Sequence, residues 1–273
     1  MSAFILIRGG GDLASGVALR MHRAGFKTVI SEIAQPLAVR RSVSFAEAVY
    51  AGEQKVEEVK ARLVSADQLQ VAMDAGEIPV IVDPNANILA NPFLTSPHST
   101  IVIDARLTKQ NPEPLPIRPR LHIGLGPGFR AGENCSAVIE TRRSHTLGRV
   151  YWDGGVQPDS GQPDGDARRV LRAPNDGAMV AHSKIGDHLN QGELIAEIQS
   201  EHGAAKIISP FKGVLRGLLH EGLTVNKNLK IGDIDPRDDE SICYLVSDKA
   251  LAIGGGVLEA LLTKADVREL LFQ

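Results

Sequence analysis

Cysteine is nearly absent from this sequence. Cys135 and Cys243 are the only two in 273 residues, too few for a disulfide framework or a four-sulfur zinc site. Aromatic residues make up only 4%, which argues against a stacking platform for single-stranded nucleic acid. No apolar run approaches the ~20 residues that a bilayer crossing requires. Charge of one sign is not in excess either. The 30 basic and 33 acidic side chains leave a formal net charge of −3, so neither nucleic acid nor an anionic membrane is expected as a partner. The eight histidines, among them His122, His145, His182 and His188, show no H-x-x-x-H pair or other zinc spacing, so no metal site is expected. Neither a serine nucleophile elbow nor a P-loop is found. The opening residues pass from a short apolar run into Arg8 and three glycines, too soon for the apolar region of a signal peptide. A cytoplasmic protein is the resulting expectation.

What is present suits an ordinary globular chain of roughly two domains. Hydrophobic residues make up 43% and charged residues 23%, which excludes a wholly disordered chain. The first half alternates strand and helix signals. Ala3 to Ile7 read as a strand covered on both faces, followed by a glycine turn and a helical stretch ending at Gly25. Lys27 to Glu32, Pro79 to Val82, Thr100 to Ile103 and Arg120 to Leu125 read as further strands. Phe45 to Tyr50 and Ala66 to Ala75 read as helices. This alternation predicts an α/β fold with a Rossmann-like, mostly parallel sheet over residues 1–155. Pro112, Pro114, Pro116 and Pro119 make the stretch from Asn111 an extended connection. Residues Val156 to Asp166 read as an exposed loop leading into a second domain.

Residues 167–237 carry an internal repeat. At an offset of 36, Pro174 meets Pro210, Gly177 meets Gly213, Gly186 meets Gly222, Leu189 meets Val225 and Ile198 meets Ile234. Two such halves predict a small all-β barrel or sandwich, because neither half alone can bury its apolar face. The arrangement resembles the biotinyl/lipoyl-type barrel. A carrier would display a modified lysine between the halves. The only lysine near that place, Lys206, lies close to the next half and has no methionine neighbours, so no biotin or lipoate is expected. In the final segment, 238–273, Gly254, Gly255 and Gly256 read as a glycine turn opening a C-terminal helix that packs back on the first domain.

The strongest local motif runs from Arg8 to Gly16. Gly9, Gly11 and Ala14 match the G-x-G-x-x-G/A pattern of dinucleotide folds. Gly9 makes the turn, Gly11 admits a phosphate, and Ala14 allows close packing of helix on strand. The N–H groups of Gly10, Gly11, Asp12, Leu13, Ala14 and Ser15 would face an anion. Asp12 would repel a pyrophosphate unless it is engaged elsewhere, and it is equally read as a helix cap. Glu32 ends the next strand, where such a fold places the carboxylate that binds ribose.

A second glycine turn, Gly124 to Gly132, follows another strand and brings Gly126 and Gly128 to the same rim. Arg40, Arg41 and Arg106 each follow a strand and suit a polyanion, since arginine binds phosphate in bidentate fashion. Cys135, with Arg142, Arg143 and His145 close behind, is a candidate nucleophile or chalcogen carrier. It precedes Ala137, Val138 and Ile139 and is also read as a buried strand residue.

Long phrases of this sequence resemble the YqeB-type proteins. They are Arg8 to Ala18, Gln35 to Ala48, Ile123 to Gly128, Ala137 to Thr141, Leu229 to Arg237, Ser247 to Ala250 and Ala252 to Ala260. That family is described as accessory to selenium-dependent molybdenum hydroxylases and related in role to XdhC-type chaperones. The resemblance implies a maturation factor that holds a molybdopterin-type cofactor or a nucleotide; it assigns no catalytic residue, and Cys135, read from its own neighbours, is the candidate chalcogen carrier. Its partners would be a molybdenum hydroxylase or cofactor-maturation proteins, and a homo-oligomer stays open. An NAD(P)-dependent oxidoreductase and a non-catalytic docking protein are the alternatives.

Overall fold

The computed structural model describes residues 5–91, 100–161, 165–201 and 203–271. Ala3 and Phe4 of the expected first strand, and residues 162–164 of the expected loop, lie outside that range. The chain enters as β1 (Ile5–Arg8), turns through three glycines into α1 (Asp12–Arg23), and returns as β2 (Thr28–Glu32), parallel to β1. Ile5, Leu6 and Ile7 are fully buried, and burying each such side chain contributes about 1.5–3 kcal/mol. Their alternation serves two cores. Ile5 and Ile7 pack with α1, whereas Leu6 packs with residues on the other side of the sheet.

After β2 come a short α2 (Ala48–Ala51), the antiparallel hairpin β3 (Glu53–Val56) and β4 (Val59–Leu63), then α3 (Leu69–Asp74) and β5 (Ile78–Val82). The strands β6 (Ile101–Asp104), β7 (Leu121–Leu125), β8 (Arg130–Ala131), β9 (Ala137–Ile139), β10 (Val150–Tyr151) and β11 (Gly154–Gly155) complete the first unit. Nine of them make one sheet in the order β10-β9-β7-β6-β1-β2-β5-β4-β3, and β8 and β11 form a separate ribbon.

The second unit begins with β12 (Val170–Arg172), β13 (Gly177–Ala181), β14 (His188–Leu189), β15 (Leu194–Ser200) and β16 (Gly203–Ile208). It continues with β17 (Gly213–Leu218), β18 (Thr224–Val225) and β19 (Lys230–Asp235). These strands form two four-stranded sheets, β12-β19-β17-β14 and β16-β15-β13-β18. The 36-residue offset survives in the strand starts, from Gly177 to Gly213, His188 to Thr224 and Leu194 to Lys230. The halves exchange strands: β14 pairs with β17, and β18 with β13.

The fold class expected from the sequence is corrected on both counts. The large sheet is mixed, because the hairpin makes one edge antiparallel and β10 the other. Helices do not follow each strand. β6 reaches β7 through the proline-rich connection, whose locked φ angles exclude a helix, and β7 reaches β9 through the second glycine turn. This is a mixed sheet with several antiparallel sheets, not a Rossmann fold. The second unit is not a biotinyl/lipoyl-type barrel either. Lys206 sits inside β16 opposite Glu197, within a long hairpin laid on the sheet edge, and is not displayed between the halves.

The chain ends in α4 (Asp248–Thr263) and α5 (Ala265–Leu271). Gly254, Gly255 and Gly256 do not form a turn before the helix. α4 starts earlier, where the Ser247 side chain accepts the Ala250 N–H, and runs through all three glycines. Close packing on α1 overrides their poor helix propensity. A Cβ on Gly254 would meet the Gly16 carbonyl oxygen at 3.1 Å, and one on Gly256 would collide with the Gly148 carbonyl oxygen. No helix among the described residues is long and apolar enough to cross a membrane.

Candidate functional site

β1, β2 and β6 end side by side at Arg8, Glu32 and Asp104. The end of β19 and the segment leading to α4 face them from the second unit, enclosing a cleft of about 1250 Å³. Ligands of open α/β sheets bind at this carboxyl rim. Nine basic and six acidic side chains line the cleft, a local surplus of cations in a chain whose overall charge is −3.

On the rim of the first unit, Asp104 is wholly buried and holds two arginines. Arg8 Nη1 donates to its Oδ2 at 3.0 Å, while Arg106 donates to both oxygens at 2.9 and 2.8 Å. Burial pulls the Arg8 pKa down against the pull of Asp104. Arg40 Nη2 donates to the carbonyls of Ile242 and Leu245 at 3.1 Å each, tying the first unit to the second. Arg40 Nη1 lies 3.9 Å from Asp12, and burial lowers its pKa too. The Nε–H groups of Arg8, Arg40 and Arg216 are buried without a hydrogen-bond partner. Such an unmet buried donor is costly.

The first turn of α1 opens on the same space. Gly11 is its N-cap and supplies no side-chain oxygen to the free amides. A Cβ on Gly11 would meet nothing within 4 Å. Glu32 is already engaged with this turn, because Oε1 accepts the Gly10 N–H and Oε2 the Ile33 N–H, each at 2.7 Å. Burial raises its pKa against those two bonds.

Across the cleft, β19 carries Asp233 and Asp235, both buried. Asp233 receives Arg169 and Arg216 at 3.0 Å and Lys230 at 3.2 Å. Asp235 receives Arg216 at 3.1 Å and Arg237 at 2.6 Å. Burial pushes the Asp233 pKa up, but Lys230, Arg216 and Arg169 together hold it below the ordinary value. The Arg237 hydrogen bond brings Asp235 down to about 2.

Of the residues singled out in the sequence, Gly9, Gly11, Asp12, Leu13, Glu32, Arg40 and Arg106 line the cleft. Gly10, Ala14, Ser15, Arg41, Gly126, Gly128 and Cys135 do not. A Cβ on Gly10 would lie 2.9 Å from the Ala46 nitrogen, so that position serves packing. Ala14 is buried in the core. The Ser15 hydroxyl donates to the Gly10 carbonyl and accepts from the Phe45 N–H. Arg41 bonds the Leu218 carbonyl and Glu47. Gly126 and Gly128 pack against the backbone of residues 107–110, the start of the proline-rich connection, so the second glycine turn accommodates chain. Cys135 is partly buried, and desolvation pushes its thiol up to about 11, which disfavours the thiolate.

The sequence reading missed Arg8, Asp104, Arg169, Arg216, Lys230, Asp233, Asp235 and Arg237. A signal existed for the last cluster, since Asp233 and Asp235 alternate along a strand between Lys230 and Arg237. Among the described residues, no group of three or more His, Cys, Asp or Glu side chains is placed to hold a metal.

No protein-family model matches the chain. Over 264 residues, 94% of its length, it is 46% identical to the YqeB protein of Escherichia coli (strain K12). That similarity supports the YqeB-type resemblance. The chain spans about half of that relative, 47% of its length. Three solved structures align over most of the chain. An aspartoacylase family protein from Mesorhizobium loti is 8% identical, covering 86% of this chain and 85% of that one, at a TM-score of 0.26. The product-bound ectoine utilization protein EutE (DoeB) from Ruegeria pomeroyi is 10% identical, covering 85% of each, at 0.27. A succinylglutamate desuccinylase from Silicibacter sp. is 12% identical, covering 85% and 84%, at 0.26. Scores of this size assign neither fold nor activity.

The expected role in molybdenum hydroxylase maturation and selenium handling is nevertheless withdrawn. Cys135, the expected chalcogen carrier, lies outside the cleft, and desolvation disfavours its thiolate. The Rossmann fold on which the NAD(P)-dependent oxidoreductase rested is the one corrected above.

Proposed function

We propose that the protein binds a phosphorylated small molecule of the nucleotide class in the cleft between its two units. The observation that carries this reading is the pair Arg8 and Arg40, which are 4% and 8% exposed, line the cleft, and keep an Nε–H without a partner. An anion in the cleft offsets, through its charge, the desolvation of these two guanidinium groups. The uncapped first turn of α1 adds backbone donors and the positive end of its dipole, and the open space at Gly11 admits a phosphate. Each Glu32 oxygen accepts one amide and retains a lone pair for a sugar hydroxyl. Ile33, Leu37 and Leu245 are 43%, 47% and 53% exposed and line the same space, giving a flat ring an apolar surface. Pockets for small ligands usually span about 300–1,000 Å³, so the cleft has room for a ligand of this size.

Calorimetric titration with ADP, inorganic pyrophosphate and adenosine tests the reading. ADP and pyrophosphate are expected to bind, more weakly as salt rises, and adenosine is not. Absence of binding by both anions at millimolar concentration and low salt overturns it.

A further inference from the structure

The β19 cluster sits on the opposite wall from the glycine turn. Two carboxylates, Asp233 and Asp235, hold four cations: Arg169, Arg216, Lys230 and Arg237. A network that served only to hold the sandwich together would match its charges. Among the described residues four cations gather on these two carboxylates, Arg237 also lies in the field of Asp248 and Asp239, and all six residues line the cleft. Arg216 shares its two Nη groups between the two aspartates and keeps its Nε–H buried and unmet. Arg40 lies between the two walls, interacting electrostatically with Asp12 on one side and with Arg216 and Asp233 on the other. The cationic lining therefore has two poles, one on each unit.

We infer that the cleft holds a second anion subsite, built by Arg169, Arg216, Lys230 and Arg237 around Asp233 and Asp235, and that the natural ligand carries two separated anionic groups, one for each unit. This rests on the reading of the cleft as a phosphate site. It narrows the ligand from any phosphorylated molecule to an elongated bis-anion that clamps the first unit against the sandwich. The carboxylates hold the four cations in place, and their excess positive charge faces the ligand. A second contact made within one molecule raises affinity without any new chemistry at the first pole.

The test compares linear alkanediol bisphosphates of four to ten carbons with alkyl monophosphates of the same lengths, on the full chain. At one favoured length, the bisphosphate is expected to bind at least about tenfold more tightly than its monophosphate. In the double variant Arg237→Gln, Lys230→Gln, which touches the partly exposed ends of the cluster, the bisphosphate is expected to fall to the monophosphate level while the monophosphate is unchanged. If no length gives a gain, or if the variant weakens both ligands alike, the second subsite is overturned and the first stands. If no phosphate binds the unaltered protein, the cleft reading fails and the two-pole inference fails with it. The length series uses no variant, so the inference stays falsifiable even if the double variant does not fold.

Discussion

Arg8 and Asp104 stand opposite each other on neighbouring parallel strands, and Arg8 Nη1 donates to Asp104 Oδ2 at 3.0 Å. The pair is buried at the centre of the sheet rim, and Asp104 also holds Arg106. Replacing Asp104 with Asn keeps the shape but strands two guanidinium groups beside an uncharged amide. Breaking one side of a buried pair typically costs about 3–5 kcal/mol. Chemical denaturation of Asp104→Asn is expected to show a loss of that order. An unchanged midpoint would mean that Arg8 does not depend on Asp104 for its charge.

Gly11→Asp separates binding from folding. Gly11 has φ −63°, an ordinary conformation for any residue, and open space where its Cβ would stand. Aspartate at an N-cap is at least as favourable as glycine, by a few tenths of a kcal/mol. The variant is therefore expected to melt at or slightly above the temperature of the unaltered protein and to lose pyrophosphate binding, because its carboxylate occupies and repels at the anion position. Undiminished binding would place the anion elsewhere.

Parts of this architecture are legible in the sequence because they are local. Gly9 and Gly11 between an apolar run and a helical stretch announce the turn from β1 into α1, and the matched glycines at 177 and 213 announce two similar halves. What the sequence hides is long-range. Arg8 meets a carboxylate 96 residues away, and nothing near either residue signals the other. Arg169, in the turn before β12, and Arg216, in β17, reach Asp233 from distant points of the sequence. Three consecutive glycines read locally as a break, yet helix–helix contact decides against that reading. Glu32 stands where a ribose-binding acid would stand, but its two oxygens are first engaged by the Gly10 and Ile33 amides, a contact made only on folding.

Those three glycines separate propensity from packing. Gly255 has nothing within 4 Å of its missing Cβ, so Gly255→Ala is expected to stabilise the helix by about 0.5–1 kcal/mol. Gly256 faces the Gly148 carbonyl, so Gly256→Ala forces α4 away from its neighbour, an overpacking that costs about 1–3 kcal/mol. Thermal melts of the two single variants should shift in opposite directions. Equal shifts would mean that α4 is not pressed against Gly148.

Asp235 predicts part of the acid response. The Arg237 hydrogen bond first, helped by Arg216 and opposed by burial, lowers its pKa from the ordinary 3.8 to about 2 in the folded state. A carboxylate whose folded value is depressed stabilises the fold above its unfolded value, and that contribution is lost as pH falls. The stability gap between the unaltered protein and Arg237→Gln is thus expected to be constant above about pH 5 and to close between pH 4 and 2, as the linkage between protonation and folding requires. Urea denaturation across that range measures it. A gap independent of pH down to 2 would show that Asp235 does not draw its low value from Arg237.

Cys135 offers a direct check on whether this chain holds a reactive sulfur. Desolvation dominates its surroundings, backbone donors oppose it weakly, and the thiol lies near 11. An unperturbed thiol titrates near 8.5, and a reactive one lower still. Alkylation by iodoacetamide, followed at the Cys135 peptide by mass spectrometry, is expected to be slow at pH 7 in the folded protein. The rate should keep rising through about pH 9.5 without levelling, because thiolate stays the minor form there. In denaturant the same peptide should react quickly and level near the ordinary thiol value. A folded-state rate that levels at or below pH 8.5 would contradict the buried environment and return Cys135 to consideration as a nucleophile.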